Sequence, residues 1–230
     1  SSPISHSNVS KSDLSSKNLG QDLSILLNFL PSVVTTSDAG AGIGYTGIRI
    51  RGVSAQSTNI TINGIPFNDP ESHGTYWVNL PDFTSSVESL QVQRGVGTST
   101  NGSGAFGASI NILTDLISEK PYFETSNSVG SYNTIKNTFK FSTGMLNDYF
   151  EFSGRLSKID SDGYIDRANS DLKSYFLQGT YKKNTTMIKA LSFGGHEITY
   201  QAWNGIDGAT LESDRTYNPS GMYIDKTGNV

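Results

Sequence analysis

The chain has 230 residues, a formal net charge of −4, 17% charged and 10% aromatic side chains, and no cysteine. So many aromatics at so low a charge exclude a disordered chain, and the acidic balance argues against a nucleic-acid partner. The missing cysteines remove disulfide frameworks, Cys-based zinc sites and thiol nucleophiles.

The first predicted element in chain order is a helix. Leu19, Leu23, Leu26, Leu27 and Leu30 recur at helical spacing, and Pro31 ends the pattern. The least charged stretch, Leu23 to Ser37, falls short of the ~20 apolar residues that a spanning helix needs. Short strand-like segments follow at Gly47 to Arg51, Asn59 to Asn63, Glu88 to Arg94 and Ala108 to Leu113, separated by Gly- and Ser-rich loops. One helix with these strands implies a small α/β domain.

Beyond residue 120 the period becomes two. Phe139 and Phe141 alternate with Lys140 and Ser142, and Phe150, Phe152 and Leu156 with Glu151, Ser153 and Arg155. Tyr175, Leu177 and Tyr181 alternate with Ser174, Gln178 and Thr180. Connections are tight at Gly130 to Thr134, Gly144 to Asp148 and Lys183 to Thr185, long at Ile159 to Leu172, and everything after Gly194 reads as long and irregular. A soluble β-sandwich with one wet face explains such alternation; so does a membrane barrel with short inner turns and long outer loops. The strands visible here are too few to close a barrel, and open edges do not survive in lipid. On the barrel reading the chain is therefore part of a larger sheet.

Five motifs in order carry a family resemblance. They are Gln21-Asp22-Leu23 through Leu30-Pro31-Ser32-Val33, Ile48-Arg49-Ile50-Arg51-Gly52, and Asn59-Ile60-Thr61-Ile62-Asn63-Gly64-Ile65-Pro66. Glu88-Ser89-Leu90-Gln91-Val92-Gln93-Arg94-Gly95 and Gly102-Ser103-Gly104-Ala105-Phe106-Gly107-Ala108-Ser109-Ile110-Asn111-Ile112 complete the set. Together they resemble the plug domain of TonB-dependent outer-membrane receptors. Val129 to Thr134 resembles the first outer hairpin of such barrels, and Asp162-Gly163-Tyr164 the second outer loop. The resemblance implies a mixed fold: a small α/β plug over residues 1–118, then antiparallel strands of an incomplete outer-membrane β-barrel over 119–230. It also implies a Gram-negative outer-membrane location, contact with lipid, and coupling to the TonB complex for uptake of a scarce nutrient. The cargo is expected to be a metal chelate such as a ferric siderophore, haem or cobalamin. A peptide or glycan taken up with a surface lipoprotein remains an alternative, as does a soluble β-rich binding module. Two departures stand out: no TonB-box segment is recognisable before Ser10, and Ala108-Ser109 replaces a pair of glycines.

By resemblance, Arg49, Arg51 and Arg94 are candidate plug contacts to carboxylates of the barrel interior, with Glu151 as a partner; solvated strand charges are the bland alternative. Three loops, Thr36 to Thr46, Phe67 to Asn79 and Val96 to Gly104, fall at the outward apex. Their candidate ligand contacts are Tyr45, Phe67, Asn68, His73, Tyr76, Trp77 and Asn101, since aromatics in a polar loop suit an amphipathic ligand. Core packing is the alternative for Phe67 and Trp77. Neither a Gly-x-Ser-x-Gly elbow nor an HExxH occurs, so no catalysis is expected, and no cofactor or resident metal is called for. Asp160, Asp162, Asp166 and Asp171 lack EF-hand spacing and read as a solvated loop.

Overall fold

The computed structural model describes residues 5–96, 106–222 and 226–227. Its first part is a mixed five-stranded sheet of β1 (His6–Ser10), β4 (Thr58–Ile62), β5 (Ile65–Pro66), β6 (Val87–Arg94) and β7 (Ala108–Thr114), in the order β1-β6-β7-β4-β5. Only β4 and β7 run parallel. A separate hairpin pairs β2 (Val33–Ser37) with β3 (Thr46–Ile50). The four strands expected from sequence fall at β3, β4, β6 and β7. The first strand, β1, carries little apolar content and was not legible in the sequence; it adds to the edge of β6 with Val9 buried.

The predicted helix is much shorter than its apolar period. After the one-turn α1 (Lys11–Ser15), only α2 (Leu23–Leu26) is α-helical in this stretch. Beyond it the Leu27, Asn28 and Leu30 amides donate to the carbonyls of Ser24, Ile25 and Leu27, a tighter three-residue spacing. Gly20 at φ +125° and Ser32 at φ +63° interrupt helical backbone at either end. Leu23, Leu26, Leu27 and Leu30 still reach the core, whereas Leu19 is exposed. The period therefore located four of the five leucines on the buried side, but only a single turn of it is α-helical. Around these leucines close Ile48, Ile50, Ile60, Ile62, Leu90, Val92, Ile110 and Ile112.

The second part is an antiparallel meander of β8 (Tyr122–Val129), β9 (Ile135–Ser142), β10 (Phe150–Ser161), β11 (Ser170–Lys183) and β12 (Thr186–Thr199), hydrogen-bonded in sequence order. The last strand runs past Gly194, where an irregular segment was expected; a short α3 (Gly208–Ser213) follows. Side chains alternate with an inverted polarity. Phe123, Phe150, Phe152, Leu156 and Leu177 are exposed on the outer face, while Lys136, Thr138, Lys140, Ser142, Glu151, Arg155 and Gln178 are buried against the first part. A soluble sandwich buries its apolar face. Apolar-out and polar-in is the pattern of a sheet facing lipid, which removes the soluble-module alternative.

Candidate functional site

The join between the two parts is polar and centred on Asp82, which lies at φ +51° just before a tight turn over Phe83–Ser86. One carboxylate oxygen, Oδ1, takes the Lys136 ammonium at 2.8 Å and hydrogen bonds from Ser85 and Asn18. The other, Oδ2, faces the Arg155 guanidinium at 3.3 Å and accepts from Thr138 and Ser157, each at 2.6 Å. Arg155 extends the network to Ser86 Oγ, the Pro81 carbonyl and Ser174. Burial alone would raise the Asp82 carboxyl, but Arg155 and Lys136 overcome it and hold the group well below the usual carboxylate range. A second bridge joins Asp115 to Lys140 at 2.9 Å and to Lys11 at 2.6 Å.

This polarity reverses the expectation. Carboxylates come from the first part and cations from the strands, because Lys136, Lys140 and Arg155 occupy the inward positions of β9 and β10. Arg94 is 8% exposed and turns inward, donating to the Pro31 carbonyl and to Ser5 and Ser7. Arg49 is exposed opposite buried Ile48 and Ile50, and Arg51 lies beside Gly95. Among the described residues none of the three arginines bonds to β8–β12. Glu151 is buried there, accepting from Ser142 and from the Ser118 amide rather than from an arginine. The interfacial lysines were missed because a lysine alternating with phenylalanine reads as a solvated face until something covers it.

At the far end of the sheets, the 38–45 loop meets the β10–β11 connection. The Tyr164 and Ile165 amides donate to the Ala39 carbonyl, and Ala39, Ala168 and Ala202 pack together. This contact carries the chain after β12 over the loop, and Trp203 meets Tyr45 edge-on with centroids 5.3 Å apart. Asp38, Tyr45, Tyr76, Val78, Asn79 and Trp203 line an open recess of about 430 Å³. Of the expected ligand contacts, Tyr45 and Tyr76 lie in the recess. Trp77 is 2% exposed and belongs to the core. Phe67 packs against the core and Phe193. Asn68 is a fastener: its Oδ1 accepts from the Ile60 amide, and its Nδ2 donates to the Thr58 and His73 carbonyls. His73 is exposed at φ +57° in the tight turn that Asn68 closes. Asn101 lies outside the described residues. Trp203 and Asp38 carried no local motif, and only the docking of distant segments brings them to this place.

Below the recess, Asp22 is fully buried. It accepts from Thr46 Oγ1 at 2.6 Å through one carboxylate oxygen, and the other has no partner among the described residues. Burial pushes its carboxyl up to about 7. The folded form thus keeps a proton that the unfolded chain, ionising near 4, has lost. Stability contributed by this group is full below pH 4 and declines as pH rises towards 7, by about 1.4 kcal/mol per pH unit at most. Asp22→Asn is expected to flatten that decline. Urea unfolding of the protein at pH 5 and pH 8, followed by a probe in residues 22–46, measures it; an unchanged pH dependence would sink the assignment.

Residues 1–109 match the family model of the TonB-dependent receptor plug domain. Over 210 residues, 91% of its length, the chain is 30% identical to the vitamin B12 transporter BtuB of Vibrio vulnificus. Over 186 residues, 76% of its length, it is 29% identical to the probable TonB-dependent siderophore receptor PirA of Acinetobacter baumannii. It spans 32% and 22% of those two relatives. The crystal structure of the siderophore receptor PirA from Acinetobacter baumannii superposes with a TM-score of 0.62 at 20% identity, covering 84% of this chain and 32% of that one.

Proposed function

Because the chain belongs to the TonB-dependent receptors of the Gram-negative outer membrane, as a plug domain leading into the first strands of the barrel, we propose that it captures a scarce nutrient, a metal chelate, and admits it when the TonB complex acts on the plug. One observation carries this reading. The sheet turns apolar side chains outward and grips the plug through buried ion pairs, beneath a recess that opens at the end where loops of both parts meet. The buried pairs hold the resting arrangement, so a pull must favour another arrangement by more than these contacts resist. Binding and displacement need no covalent chemistry from the chain. The relatives named above, a vitamin B12 transporter and a probable siderophore receptor, support a chelate as cargo. Arg49 and Arg51, exposed on the plug, are proposed to meet barrel wall beyond β12.

Native mass spectrometry of the full-length receptor in mild detergent, with metal analysis of the same sample, tests the cargo. An iron- or cobalt-containing small molecule is expected. A co-purifying peptide, oligosaccharide or lipoprotein would overturn the chelate and leave the receptor standing.

A further inference from the structure

The recess differs from the join between the two parts in its charge. At that join two carboxylates are matched by cations: Asp82 by Lys136 and Arg155, Asp115 by Lys140 and Lys11. Asp38 has no such match. Its amide donates to the Tyr45 carbonyl at 3.0 Å, which fixes it beside that ring, but its carboxylate makes no hydrogen bond or ion pair among the described residues. Asp38 is exposed at the rim, and partial desolvation raises its pKa with no cation to oppose the shift.

Around it stand three aromatic side chains and no base. Tyr76 and Trp203 are 52% and 54% exposed, and Tyr45 meets Trp203 at an interplanar angle of 81°, so the two rings form a corner. Val78 and Asn79 complete the lining, which contains neither lysine nor arginine. Arg167, on the adjoining β10–β11 connection, is committed to the Asn218 and Ser220 carbonyls. The chain's own cations sit on other rings: Lys17 over Phe29 and Lys183 over Tyr149. Aromatic faces and an unpaired carboxylate together attract a weakly hydrated cation. The volume of about 430 Å³ lies in the range of small-molecule sites.

We propose that the recess formed by Asp38, Tyr45, Tyr76 and Trp203 seats a cationic organic group of the cargo: an alkylammonium, a guanidinium or a quaternary ammonium. This assignment rests on the receptor reading above and narrows it, since an anionic chelate presenting only carboxylates or phenolates would meet Asp38 unfavourably.

The test is a ligand-observed NMR titration of the full-length receptor in detergent with phenyltrimethylammonium, and with phenylphosphonate as the anionic match. The cation is expected to bind saturably and the anion not to bind. Asp38→Asn is expected to weaken the cation about tenfold and Trp203→Leu about fivefold, while Asp38→Glu stays within about threefold of the parent, which separates lost charge from a disturbed loop. Equal binding of the two probes, or an unchanged affinity in D38N, overturns the proposal. Native mass spectrometry on D38N separates this proposal from the receptor reading. Cargo retained in full while the cation probe is lost overturns the seat for cargo alone. A parent receptor that binds the probe but captures no nutrient counts against the receptor reading instead.

Discussion

Asp82→Ala is expected to destabilise the plug by about 3–5 kcal/mol, the range for breaking a buried pair by removing one partner. The substitution leaves Lys136 and Arg155, both buried, with no carboxylate between them, and removes the acceptor that Thr138 and Ser157 share. It also places alanine at φ +51°, where a side chain without a local hydrogen bond is strained. Asp82→Asn separates the two effects. Asparagine tolerates that backbone and keeps an acceptor, so the loss that remains belongs to the charge. Urea unfolding of the full-length receptor, with a reporter in the plug, gives both numbers. A loss under about 1 kcal/mol in both variants would show that solvent reaches the pair. Since the Asp82 carboxyl is held below its unfolded value, its contribution is complete above the unfolded pKa near 4 and is lost as pH falls below it. Acid is therefore expected to loosen the plug from β9 and β10 before it disturbs the strands.

Trp77→Ala and Tyr76→Ala, adjacent in sequence, are expected to fail in different ways. Trp77 is buried in the main core, and its removal is expected to cost about 3–5 kcal/mol through lost burial and a cavity. Tyr76 stands half out of the recess, and truncating it is expected to change stability by less than about 0.5 kcal/mol. Its loss is expected to appear instead as a several-fold drop in affinity for the cationic probe. Thermal unfolding and probe titration on the two variants give a double dissociation. If Tyr76→Ala unfolds the receptor, or Trp77→Ala weakens the probe without loss of stability, the division of this loop into core and recess is wrong.

Strand existence was legible because it rests on local alternation. At β10, Phe150 and Phe152 against Glu151 and Ser153 announced both a strand and its two faces. The same alternation left open which face is dry. That depended on what stands against the sheet, and the plug decides it by offering Asp82 and Asp115 to the polar side. For the same reason the ion pairs between the plug and β8–β12 run opposite to the expected pairing of plug arginines with wall carboxylates. A charge on a strand gives its spacing, whereas its partner is set by the register and by a segment tens of residues away.

The candidate site divides along the same line. Tyr45 and Tyr76 could be chosen from their loops, since a large aromatic among glycines, serines and asparagines lacks local core neighbours. The sequence by itself determined the order of elements, the buried leucines of the first segment, the family and the two-faced strands, because each is carried by residues close together in the chain. Only the tertiary structure decided that Trp77 packs inward and Asn68 pins a loop, that the interface cations belong to the strands, and that Asp38 and Trp203 share one recess. Those features depend on contacts between distant segments, where burial turns an ordinary polar residue into a matched or an unmatched charge.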